Sequence, residues 1–130
     1  MRCSDLGRHH EGEVALRRGL EKIERELQKH PEHANAAALG AGALARLGET
    51  ARAKDWASLA LSLEPDDLLT QYNTACAYAL LGEAEAAIDL LERAVPRVRG
   101  RLRTRSRYDS DLDSLRSHPR FQALLQRMAS

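Results

Sequence analysis

The side chains best suited to chemistry in this chain are two histidine clusters, one cysteine in an apolar setting and a run of arginines. His9-His10-x-Gly12-Glu13 and His30-Pro31-Glu32-His33 hold imidazole and carboxylate groups of the kind that ligate divalent metals. Neither has the spacing that sets two ligands on one helix face, and both lie at polar segment ends, so no metal is expected. A thiol such as Cys76 attacks only as the thiolate beside a base, and its near neighbours are Ala, Tyr and Leu, which mark it as buried and inert. Arginines at 97, 99, 101, 103, 105 and 107 alternate along the chain, with Arg101, Arg103 and Arg105 at the centre, and an extended segment of that kind can neutralise phosphates. A nucleic-acid reader would interleave aromatics, whereas here Tyr108 stands alone and Asp109, Asp111 and Asp113 follow. The tract is therefore read as a solvated loop paired with those carboxylates, each exposed pair contributing about 0–1 kcal/mol. No catalytic constellation emerges, and the expectation is a non-enzyme with no cofactor.

The elements that must position these groups are helices. Of the 130 residues 43% are hydrophobic and only 4% aromatic, and the abundance of Ala and Leu suits closely packed helices. Only 4 prolines and 8 glycines punctuate the chain, and no alternating run of Val, Ile, Thr or aromatics supports a strand. The expected class is all-α, in one domain. With 20 basic and 19 acidic residues the net charge is +1, which does not favour a polyanionic partner. Cys3 and Cys76 make no disulfide framework, and a reducing, cytoplasmic setting is the simpler reading. No apolar run approaches the ~20 residues that span a bilayer, so no membrane partner is expected. Charged residues, not a signal-peptide core, follow Met1-Arg2-Cys3-Ser4-Asp5.

A 34-residue register runs through the middle of the chain: Leu47, Gly48, Glu49, Ala53, Asp55 and Ala60 recur as Leu81, Gly82, Glu83, Ala87, Asp89 and Ala94. That is the period of a helix-turn-helix repeat. Residues 1–11 are expected to form a flexible N-terminus. Residues 12–33 read as a partial repeat, a helix carrying Val14, Leu16, Leu20, Ile23 and Leu27 that ends at His30-Pro31 and lacks the first helix of its unit. Two full units follow at 34–67 and 68–100, each a helix pair around Gly48 or Gly82, with Pro96 interrupting the last turn. Residues 101–116 read as a basic and then acidic loop. Residues 117–130 read as a capping helix with Ser117 as N-cap, Pro119 in the first turn, and Phe121, Leu124, Leu125 and Met128 on one face.

Through Leu47-Gly48, Ala53, Ala60 and Pro65 in one unit and Tyr78, Leu81-Gly82, Ala87 and Ala94 in the next, the chain resembles tetratricopeptide repeats over about residues 34–127. Tyr72-Asn73-x-Ala75-Cys76-Ala77-Tyr78, followed by Asp111-Leu112-x-x-Leu115-Arg116-x-x-Pro119-Arg120-Phe121-x-x-Leu124-Leu125, resembles the end-of-group form found in the C-terminal segments of bacterial adenylate cyclases, serine/threonine kinases and transcriptional regulators. Where such segments carry a tryptophan before the Asp-x-Asp-Leu motif, this chain has Arg107-Tyr108. The resemblance implies a right-handed superhelix of antiparallel helix pairs whose first helices line a concave groove, here Asn35, Ala38, Gly42, Leu69, Tyr72, Asn73, Cys76 and Ala79. It implies a scaffold that binds a protein or peptide segment, or alternatively a regulatory C-terminal fragment of a larger signalling protein packing on its own missing domain. Asn73 matches the asparagine that clamps a peptide carboxylate in some of these proteins, but Ala38 and Gly42 stand where the clamp has cations.

Overall fold

Pro31, Gly48, Pro65 and Gly82 set the breaks between helices. In the computed structural model, which describes residues 3–94 and 109–129 and the side chains of 12–94 and 109–127, they separate α1 (Cys3–Lys29), α2 (Ala34–Arg46), α3 (Thr50–Leu63), α4 (Leu68–Leu80) and α5 (Ala84–Ala94). A 3-10 helix, η1 (Ser110–Leu115), and α6 (Pro119–Ala129) follow, and no strand occurs among the described residues. The chain is all-α.

The 34-residue register is present in the backbone itself. Gly48 and Gly82 take φ of 80° and 79°, left-handed values that L side chains resist. In both turns the residue after the glycine reaches back to the helix, Glu49 N to Leu44 O and Glu83 N to Tyr78 O, each at 2.9 Å. This pattern satisfies carbonyls that the helix end would leave bare. The starts match as well: His33 Nδ1 accepts from Ala36 N and Asp67 Oδ2 accepts from Thr70 N, both at 2.9 Å. A side-chain acceptor at that place supplies one of the bonds a helix N-terminus lacks.

Packing changes character along the stack. Around α1, α2 and α3 many contacts are made by alanines, with Ala41 and Ala57 clustered with Ala77 of α4, Ala37, Ala38 and Ala60 in a second cluster, and Ala53 between Leu20 and Leu44 in a third. Methyl groups at those positions let helix axes approach closely. At the other end Tyr72, Ile88, Leu91, Leu112, Leu115, Phe121 and Leu124 join one core of large side chains shared by α4, α5, η1 and α6.

Three expectations need correction. The N-terminal stretch 1–11 is helical from Cys3 onward, because no proline precedes Pro31 and Leu, Arg and Glu are strong helix formers that carry α1 through Gly7 and Gly12. Within the loop expected over 101–116, residues 110–115 form η1, whose Asp109 caps the Asp111 amide at 3.0 Å and whose Leu112 and Leu115 are fully buried. Ser117 does not cap the last helix. His118 does, accepting from Arg120 N through Nδ1 at 3.2 Å, with Pro119 as the first helical residue. The expected end of the second unit near Pro96, and the whole tract from Arg97 to Arg107, fall outside the described residues.

Candidate functional site

Three of the residues expected to line the groove are covered by the chain itself. Tyr72 is fully buried, and its hydroxyl donates to Asp109 Oδ2 at 2.8 Å. The Cys76 thiol faces the same carboxylate oxygen at 4.0 Å, and the Ala79 carbonyl accepts from Ser114 Oγ at 3.0 Å. With Leu112 and Leu115 inserted beside them, η1 takes the place on α4 that α4 takes on α2. Tyr72 and Ala79 are therefore core residues of this fold and not an exposed anchor and a groove wall, whereas the Cys76 thiol, though buried, still lines the open cavity beside it. A polar contact of this kind is costly to leave half made. Tyr72→Phe is expected to lower the unfolding free energy by about 1–2 kcal/mol in a urea titration, while the far-ultraviolet dichroism of the folded protein stays unchanged.

Asn35, Ala38, Gly42 and Asn73 do come together. Ala38, Gly42 and Asn73 line an open cavity of about 320 Å³ together with Leu16 and Ile23 from α1 and Leu39 and Arg46 from α2. Asn73 Nδ2 donates to Asn35 Oδ1 at 2.7 Å, a bridge between the two inner helices. An amide pair joined in this way still presents N–H and carbonyl groups beyond its internal bond. A Cβ added at Gly42 would meet no atom within 4 Å, so the space above that residue is open. Leu39 is 47% exposed, an uncovered apolar side chain on this wall. Leu69 is also exposed but does not line the cavity.

Arg46 and Asp111 form an ion pair that closes one end of the cavity and ties η1 to α2 across the inner face. Cys76, Asp109 and Asp111 place one ligand-type atom each within 4.8 Å of one another, a spacing compatible with a cation. Those groups already hold η1 in position: Asp109 receives Tyr72 and the Asp111 amide, and Asp111 faces the Arg46 guanidinium. A cation would have to compete with that guanidinium for the same carboxylate, and the cluster is assigned to docking of η1.

Two of the histidines serve helix starts, His33 on α2 and His118 on α6. His118 Nε2 also lies 2.9 Å from Glu85 Oε1. Arg120 beside it reaches Glu85, Asp89 and Glu92, three carboxylates on one face of α5, at 2.5, 2.7 and 2.5 Å. Hydrogen bonds from His118 and then Arg120 hold the Glu85 carboxyl below the usual carboxylate range, and the three carboxylates raise the Arg120 guanidinium further above its own. A carboxyl that titrates lower in the folded chain than in the unfolded one contributes fully above its unfolded value, and the contribution is lost as pH falls through the folded one. Attachment of α6 to α5 is therefore expected to loosen in acid, with faster proteolytic clipping after Arg116 below the carboxylate range than at neutral pH.

Arg101, Arg103 and Arg105 lie outside the described residues. Among the described residues Asp113, one of their expected partners, pairs with Arg116 Nε at 2.9 Å. Leu16 and Ile23, the residues that sequence reasoning missed, carried a signal only in the 12–33 helix being half of a unit.

No family model, curated protein or solved structure matches this chain. No helix among the described residues is long and apolar enough to cross a membrane.

Proposed function

We propose that this chain is a non-catalytic protein-interaction module built on tetratricopeptide-type helix pairs, and that it holds a segment of a protein partner in the inner cavity. The observation that carries the reading is the combination at one place of an uncovered apolar wall, Leu39 with Ile23 and Leu16, and a bridged amide pair, Asn35 with Asn73. Apolar wall and oriented amide together suit a peptide, which presents side chains and a backbone N–H and C=O at once. A cytoplasmic setting and a bacterial signalling context belong to the same proposal. Binding in this form needs neither cofactor nor metal.

The test is selection of peptides from a displayed random library on the purified chain, with Gly42→Arg as counter-selection. A Cβ there meets no atom within 4 Å, and the rest of an arginine side chain would extend into the cavity that Gly42 lines. Peptides that bind the wild-type chain and lose at least about tenfold affinity on Gly42→Arg, equivalent to about 1.4 kcal/mol, support the reading. Failure to enrich any sequence over the Gly42→Arg control would overturn it.

A further inference from the structure

The second helix of each complete unit buries the same face. On α3 that face is Ala53 and Ala57, fully buried in clusters with Leu44 and Ala41 of α2. On α5, 34 residues later, it is Ala87 and Leu91, fully buried with Tyr72 and Ala75 of α4. The same positions 34 residues earlier are Gly19 and Ile23 of α1, and these line an open cavity of about 420 Å³ between α1 and α2. Where α3 is covered by α2 and α5 by α4, no helix among the described residues covers this face of α1 in the same way.

The second wall repeats the pattern. α4 meets α2 through Asn73, bonded to Asn35, and Ala77, packed on Ala41. The positions one unit back are Leu39 and Ala43 of α2. Leu39 is the exposed leucine described above, and Ala43 lines the vacancy. Both surfaces that a first helix would touch are thus present, largely apolar and only partly covered among the described residues.

We infer that the cleft between α1 and α2 binds an amphipathic α-helix of a second polypeptide, which completes the first unit as α2 and α4 complete the other two. This rests on the interaction reading above and adds to it a second, helical contact seated on α1, beside the inner cavity and away from Gly42. The partner helix is about 13 residues long, the length of α2 and of α4, and runs parallel to α2. Its buried stripe carries Ala and Leu and no positive charge. A cationic group pressed against Leu16 and Ile23 would lose its water without gaining a counter-ion, since the charged residue of the lining is Arg46. Gly19 leaves room for a close approach, since a Cβ there meets no atom within 4 Å. Arg46 lies at the end where the partner's last carbonyls arrive, and a cation near a helix C-terminus is favourable.

The test titrates the isotope-labelled full chain with a hydrocarbon-stapled peptide carrying the sequence of residues 33–47, which holds α2, the first helix of the first complete unit. Amide shift changes are expected to centre on Leu16, Gly19, Ile23, Leu39 and Ala43. Gly19→Leu, whose Cβ meets no neighbour and whose remaining carbons extend into the cleft, should leave the dichroism spectrum intact and weaken the peptide at least about tenfold. Gly42→Arg should change its affinity less than about twofold. Binding lost on Gly42→Arg and retained on Gly19→Leu would overturn the helix inference and leave the interaction reading standing. Absence of binding at about 1 mM peptide would overturn the helix inference alone, because the displayed-library selection judges the inner cavity separately.

Discussion

Phe121→Ala is expected to lower the unfolding free energy by about 3–5 kcal/mol, a large share of what a chain of this size has. Phe121 is 1% exposed, packs in the core with Leu112, Leu115, Ile88 and Leu91, and lies 6.0 Å from the Arg116 guanidinium that covers its ring. Truncation removes the buried ring and leaves a cavity that η1 and α6 cannot both collapse to fill. Urea unfolding followed in parallel by helical dichroism and Trp56 fluorescence is the appropriate measurement, since the two probes report on different ends of the stack. A loss below about 1 kcal/mol would show that α6 merely lies on the surface and that the core closes without it.

Gly40→Leu is expected to destabilise the other end by about 3 kcal/mol through overpacking. A Cβ at Gly40 would collide with the Trp56 ring and lie 3.2 Å from Ile23 Cγ2, so α1, α2 and α3 are all pressed on this one missing side chain. The equivalent positions in the second unit are Thr74 and Leu90, a larger residue on the first helix matched with a smaller one on the second. Combining Gly40→Leu with Trp56→Ala should therefore recover much of the loss, a coupling measured by comparing the double variant with the two single ones. Strict additivity would mean that the two side chains do not share the space.

The turns and the repeating units were legible because they depend on local chemistry. Gly48 and Gly82 are needed where φ is positive, and Pro31 and Pro65 stand where helices must stop. The identity of the residues facing one another across units was not legible to the same degree. Tyr72 looked like an exposed amphipathic anchor because nothing near it in sequence supplies a partner for its hydroxyl. That partner, Asp109, lies 37 residues away beyond an arginine tract. η1 escaped notice for a related reason: two leucines three residues apart among aspartates and serines are too few to define a helical face. Of the candidate site, Asn35, Ala38, Gly42 and Asn73 followed from the resemblance to tetratricopeptide repeats, which implies that the first helices line a groove. Leu16 and Ile23 did not, because a helix read alone assigns its apolar stripe to its own core and gives no sign that part of the stripe is bare.

The contrast between an alanine-packed beginning and an end filled by large side chains sets how the molecule opens. Repeat proteins can open unit by unit, and each unit's hold on the next scales with the apolar area between them. Amides of α4 and α5 are therefore expected to exchange with deuterated water only through global unfolding, while those of α1 and α2 exchange through a smaller opening that leaves the rest intact. Exchange rates that are uniform along the stack would contradict this. The molecule is then loosest where its cleft is empty, and a helix seated there would be recorded most clearly as slowed exchange in α1.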